Sequence, residues 1–266
     1  MVDWDPELYN RFRRYRAEPF EMILERLRLN RAERVIDLGC GSGENTAELA
    51  RRAADSVVLG IDSSPAMIES ALKLRDSLEP ELRDRLSFER RDIRELKATV
   101  EYSLVFSNAA IQWLADHRDV FVRCYRALVP GGRLVVQMPA NDGETAQATI
   151  SAMALEEPWR ARLSGLAPPS RTVAAPENYA AMLGEIGFAD VNCHYHTFRH
   201  PMVSPGEVVE WIRATALRPF LDALEVPARE PFITALTARL ERAYGTRGPL
   251  IFNFRRLFIW ARRPEP

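Results

Sequence analysis

Short apolar runs alternate along the chain with longer stretches whose apolar residues recur every three or four positions. The runs fall at 34–38, 56–61, 86–93, 102–108 and 133–138, and each has the length of a strand. Between them, residues 43–53 carry the helical period. A second helix is opened by Ser63 or Ser64, with Pro65 in its first turn and Met67, Ile68, Ala71 and Leu74 on its apolar side. Phe121, Cys124, Tyr125 and Leu128 make a third stripe, and Pro130-Gly-Gly132 turns the chain into the strand at 133–138. Strands alternating with helices in this way predict an α/β chain with a doubly wound sheet.

The two ends read differently. Residues 1–16 mix aromatic and basic side chains, and after Pro19 the positions Phe20, Ile23, Leu24 and Leu27 have helical spacing. This predicts an N-terminal arm followed by an amphipathic helix, with Arg16 available to an anionic substrate. Beyond residue 140 a helix is expected over 145–156, then a connection rich in breakers around Pro158 and Ala167-Pro-Pro-Ser, then a helix over 176–185. Residues 188–201 alternate as a strand, with Val191, Cys193, Tyr195 and Thr197 on one side and His194, His196 and Arg199 on the other. A helix follows from Ser204-Pro205, Arg218-Pro219 breaks it, another spans 227–243, and residues 250–261 supply the last strand. The organisation expected is an arm and helix over 1–30, a core of 31–140 with 176–203 and 248–266, and a helical cap from 141–175 and 204–247.

The chemistry gathers where the apolar runs end. Val35-Ile-Asp37 stops at an acid, and Gly39, Gly41 and Gly43 follow at alternate positions around Cys40. Glycine permits the tight turn and leaves no Cβ between backbone and ligand, and the helix beyond presents unpaired N–H groups. The spacing is not that of nicotinamide enzymes, and no lysine completes a phosphate-cradling loop. The second run ends at Asp62, about twenty residues on, where doubly wound folds place an acid that accepts ribose hydroxyls. The third ends at Asp92-Ile93, and the fourth at Asn108, followed by Gln112 and Trp113.

Composition narrows the classes. Lys plus Arg number 36 against 37 Asp plus Glu, giving a net charge of −1 and no field that favours nucleic acid or an anionic membrane. No apolar stretch is long enough to span a bilayer, the opening residues do not read as a signal peptide, and three scattered cysteines make no disulfide framework. The chain is expected to be cytoplasmic, a monomer or weak homodimer. His194, His196 and His200 lie near Cys193, but without a carboxylate at ligand spacing they read as a solvated strand face and not a metal site.

Asp37-Leu-Gly-Cys-Gly-Ser-Gly43 and Gly60-Ile-Asp-Ser-Ser-Pro-Ala-Met67 resemble the first and second motifs of the class I S-adenosylmethionine-dependent methyltransferases. The resemblance implies a Rossmann-like, doubly wound seven-stranded sheet, mostly parallel with the last strand antiparallel, and an inserted helical lid. It also implies S-adenosylmethionine held by Asp37, Gly39, Cys40, Gly41, Gly43, Asp62, Ser63, Met67, Asp92, Ile93 and Asn108, with no metal. More narrowly, Asp3-Trp-Asp-Pro, Asn108-Ala-Ala-Ile-Gln-Trp113, Gln137-Met-Pro139, Glu210-Trp211, Leu217-Arg-Pro219 and Arg256-Leu-Phe258 are similar to the trans-aconitate 2-methyltransferases. That likeness implies esterification of one carboxylate of a small polycarboxylic acid, with Tyr9, Arg16, Gln112, Trp113, Arg218 and Arg256 at the substrate. Ala140, Ala216 and Arg255 depart from the family pattern. Another small-molecule or malonyl-thioester carboxyl methyltransferase and a non-catalytic S-adenosylmethionine-binding protein are the alternatives.

Overall fold

The computed structural model describes residues 6–30, 32–97, 99–167, 172–213, 215–245 and 249–265, the side chains of 6–11 and 13 excepted. Asp3, Trp4 and the Tyr9 side chain therefore lie outside the described residues. Seven strands form one sheet: β1 (Arg34–Leu38), β2 (Val57–Asp62), β3 (Leu86–Arg90), β4 (Tyr102–Asn108), β5 (Leu128–Pro139), β6 (Ala189–Met202) and β7 (Leu250–Arg262). Their order is β3-β2-β1-β4-β5-β7-β6. The pairs β1–β2, β1–β4, β2–β3 and β4–β5 are parallel. Gly131 N–H donates to Arg263 O and Ala140 N–H to Arg255 O, so one index climbs as the other falls and β7 runs antiparallel to β5.

By contact density the chain divides into two compact units, one comprising Ala17–Met138, Ala174–Tyr195 and Leu257–Pro266, the other Met1–Arg16, Pro139–Val173 and His196–Arg256. The first is the sheet-bearing unit. It contains α2 (Glu44–Arg52), α3 (Pro65–Asp76), α4 (Pro80–Arg83), α5 (His117–Ala127) and α8 (Pro176–Ile186). Its core is the central strands, where Ile36, Leu38, Leu104, Val105 and Phe106 are fully buried. The second is largely helical, with α6 (Thr145–Met153), α7 (Arg160–Leu163), α9 (Pro205–Arg213), α10 (Arg218–Ala223) and α11 (Val226–Tyr244). Trp211, Phe220, Phe232 and Phe252 fill its centre.

Several expectations need correction. The arm and the first helix are one element, α1 (Pro6–Arg26), with Pro19 inside it. Proline has no N–H for the carbonyl four residues back, and the boundary between the units falls nearby, between Arg16 and Ala17. The third strand ends at Arg90 and not at Ile93, because the Asp92 side chain accepts from Arg94 N and caps a 3-10 turn at Ile93–Glu95. Pro130-Gly-Gly132 is no turn before a strand but an irregularity within β5. Tyr102 pairs with Leu128 and Leu104 with Arg133, so β5 absorbs extra residues there. Pro219 does not break a helix. It opens α10, where a missing N–H costs nothing.

In β6 the expected alternation changes hand. Phe198, His200 and Met202 are the buried positions of its second half, while Tyr195 and Thr197 are exposed. The strand supplies Ala189–Tyr195 to one unit and the rest to the other, so its two halves answer to different cores.

The crossover from β3 to β4 contains only the 3-10 turn. Arg34, Val57, Ser87, Glu89 and Glu101 line a groove of about 290 Å³ that runs from the amino ends of β1 and β2 along β3.

Trp211 is completely buried and touches Phe12, Phe252 and Phe254 edge-on. Trp211→Ala is expected to destabilise the helical unit by about 3–5 kcal/mol in urea unfolding, the usual cost of emptying an aromatic site.

Candidate active site

The carboxyl ends of β1, β2 and β4 carry the first constellation. After Leu38 the chain folds back on β2, with Gly39 N–H and Cys40 N–H both donating to Ile61 O at 2.8 and 2.9 Å. The three glycines do different jobs. A Cβ on Gly39 would stand 2.2 Å from Ala110 Cβ, and one on Gly43 would stand 2.7 Å from the Phe88 ring, so packing requires both. A Cβ on Gly41 would meet nothing within 4 Å, yet φ there is +55°, which favours glycine. Gly41 thus leaves its backbone open to a ligand, and α2 begins just beyond it.

Asp37 is buried at the last turn of β1. Thr46 Oγ1 donates to its Oδ2 at 2.6 Å, while Oδ1 is buried with no hydrogen-bond partner. Burial, helped by nearby Asp62 and opposed by the Thr46 bond, raises the Asp37 carboxyl to about 7. A cation placed against Oδ1 would restore the charge. Asp62 is held open-handed: its Oδ2 accepts from Gly41 N–H at 3.0 Å and its Oδ1 from Ser64 N–H at 2.8 Å. Cys40 is buried, and burial with the two acids holds its thiol protonated. Ile93 packs beside Gly39. Ser63 and Met67 are exposed at the start of α3. Asp92 forms an ion pair with Arg94 at 2.7 Å, and that hydrogen bond holds its carboxyl below the usual range.

Beyond β4, Asn108 has its Oδ1 buried and unpartnered. Ala109 takes φ of +57°, and Gln112 Nε2 donates to its carbonyl at 2.6 Å. Gln112 therefore braces this strained loop, whereas Trp113 next to it is 53% exposed. His117 Nδ1 meets Tyr179 Oη at 2.5 Å, tying the start of α5 to α8.

The helical unit holds the second constellation. Arg256 is only 6% exposed, its Nε has no hydrogen-bond partner, and it has no carboxylate partner among the described residues. Its guanidinium lies 4.2 Å from the Phe254 ring centre. Burial, and then the charge of Arg16, pushes it down to about 9. Arg16 lies over the Trp211 ring at 5.2 Å and donates to Trp211 O at 3.3 Å. His200 is not on a solvated face. It is buried, stacked on Tyr15 at 4.4 Å, and burial with Arg256 holds its imidazole near 4, hence neutral. Arg218 is not drawn into this nest through any contact of the described residues. Its side chain is 69% exposed and pairs with Asp222 at 3.4 Å. No group of three or more metal-ligating side chains occurs among the described residues.

From the sequence, Thr46 and Tyr179 carry no role, Gln137 enters only within a family motif, and His200 reads as part of a solvated face. Thr46 lies in the first turn of α2, and Gln137 is a polar residue near the end of an apolar strand. Both signals were visible in the pattern.

If burial sets the Asp37 carboxyl, folding retains a proton there that the unfolded chain releases near pH 4. Its stability contribution then falls as pH rises through about 7. Asp37→Asn should gain on the parent from pH 4 to 7, reaching on the order of 4 kcal/mol by urea unfolding at pH 8. A difference constant over that range would show an ordinary carboxyl.

A family model described as a methyltransferase domain matches residues 29–172. Trans-aconitate 2-methyltransferase of Methylobacterium radiotolerans is 38% identical over 267 residues, covering 99% of both chains. That of Acidovorax ebreus is 36% identical over 265 residues with the same coverage. Among solved structures, the YcgJ protein of Bacillus subtilis shares the fold at a TM-score of 0.64, with 14% identity over 94% of this chain and 99% of that one. Haemonchus contortus phosphoethanolamine N-methyltransferase 2, solved with S-adenosylhomocysteine, gives 0.60 and 22% over 93% of this chain and 53% of its own. With this glycine turn, this strand order and that identity along its whole length, the chain belongs to the trans-aconitate 2-methyltransferase family.

Proposed function

We propose that the protein transfers a methyl group from S-adenosylmethionine to one carboxylate of trans-aconitate, giving the monomethyl ester. When bound, the cofactor supplies a methyl on a sulfonium: a carboxylate oxygen lone pair forms the new O–C bond, and the C–S pair returns to sulfur. The observation that carries the reading is Arg256, a buried cation with no acid partner among the described residues, beside a second arginine. Such a pair is costly without an anion and suits a polyanion.

The residues divide the work. Gly41 gives its backbone, Asp37 its free Oδ1 to the ammonium, Asp62 the ribose contact, and Asn108 and Ile93 the flanks. Gly39, Cys40 and Gly43 shape the turn, and Ser63, Met67 and Asp92 border the adenosine. Arg16 and Arg256 suit carboxylates that do not react, and Tyr9, Gln112 and Trp113 are the further acceptor residues that the family likeness implies. Arg218, exposed and already paired, contributes least.

No general base is needed. Carboxyl groups ionise near pH 4 and are nucleophiles at neutral pH. Catalysis then rests on orientation and on exclusion of water. No helix among the described residues is long and apolar enough to cross a membrane.

Transfer of radiolabelled methyl to a panel of di- and tricarboxylic acids tests this, with label on trans-aconitate expected and label on none overturning it. Arg256→Gln should raise KM for the acid about 30-fold or more and leave cofactor affinity unchanged. Asp62→Ala should do the reverse, weakening the cofactor about tenfold, as read by titration calorimetry.

A further inference from the structure

Gln137 leaves a gap in the hydrogen-bond accounting of the sheet. It is 1% accessible, and neither its Oε1 nor its Nε2 has a partner. Each orphaned buried polar atom costs roughly 1–3 kcal/mol, and a leucine would fill the same space at no such cost. Swapping the amide oxygen and nitrogen does not help, since both atoms are orphaned.

Its position is fixed by register. Asp37 pairs with Phe106, Asn108 lies two residues on, and Asn108 pairs with Gln137. Side chains two apart, and side chains of paired residues in parallel strands, share a face. Asp37, Asn108 and Gln137 therefore line one face at the carboxyl ends of β1, β4 and β5, the face on which Phe106 meets Phe20 of α1. All three carry buried side-chain atoms without partners. Ala109 N–H, donating to Gln137 O at 2.9 Å, fixes the glutamine's backbone to the end of β4.

The acids suited to the cofactor stand on β1 and β2. Gln137 stands three strands from Asp62, roughly 14 Å at ~4.8 Å per strand, and one strand beyond Asn108. We infer that Gln137 is the residue that holds the reacting carboxylate, its Nε2 donating to the oxygen that does not attack. This inference rests on the carboxyl methylation proposed above and assigns the reacting group within it.

A neutral donor suits that place. A guanidinium on the reacting carboxylate would add a full positive charge against the negative charge that must be given up to the methyl, whereas an amide orients an oxygen without bringing a net charge. The amide orients one oxygen and leaves the lone pair of the other available.

The test is steady-state kinetics with trans-aconitate for Gln137→Leu and Gln137→Glu, with S-adenosylmethionine affinity measured by calorimetry on the same samples. The leucine variant should lose about 10- to 100-fold in kcat/KM, mostly in kcat, because orientation is lost. Cofactor Kd should stay within about twofold, which also shows that the variant is folded. Gln137→Glu should lose more at pH 8, where its carboxylate repels the substrate. Unchanged kcat/KM in both variants, or a cofactor Kd that weakens in step with it, overturns the assignment. A parent enzyme that methylates no carboxylic acid overturns the underlying reading instead, and the two failures are distinct.

Discussion

A carboxylate sealed inside the end of a central strand governs this site. Asp37 has one oxygen on Thr46 and one with nothing, in a place that water does not reach. That arrangement is costly alone and favourable once a cation arrives, so the crevice is built around a charge it does not itself supply. The surrounding backbone serves this end. The glycine turn brings α2, and so Thr46, onto the strand end, while β2 and β4 on either side bring Asp62 and Asn108 level with it.

The helical unit presents the opposite electrostatic problem. Arg256, Arg16 and a neutral His200 sit among Tyr15, Trp211 and Phe254, where aromatic faces substitute for the counter-ion. Aromatic faces lower the cost of a buried guanidinium without neutralising it. One unit is thus short of a cation and the other of an anion. A cationic ligand would answer the first shortage and a polyanion the second.

Much of this was legible in the chain. Asp37, the alternate glycines and Asp62 mark strand ends by an abrupt change from apolar to acidic, and a strand end is where the fold exposes such residues. Arg256 stood out as a charge within an aromatic strand. What the sequence concealed depends on tertiary partners. Pro19 looked like a boundary because its missing N–H is a local fact, whereas the packing that carries α1 through it is not. His200 looked solvated because alternation was extended through β6, and alternation holds only while a strand serves one core. Gln112 also braces the left-handed Ala109 beside it, a tertiary role that no local pattern announces. The departures Ala140 and Ala216 are buried, and Arg255 Nε donates to Ala140 O at 2.8 Å, doubling a backbone bridge at that point.

The helix-free crossover after β3 has its own consequence. It leaves Val57 about half exposed at the amino end of its strand, beside the Arg34–Glu101 ion pair, while the chemistry occupies the carboxyl ends. The sheet therefore has a quiet end and a working end. A fluorophore or a surface tether attached at the quiet end would report on the molecule, or immobilise it, while leaving the reacting groups undisturbed.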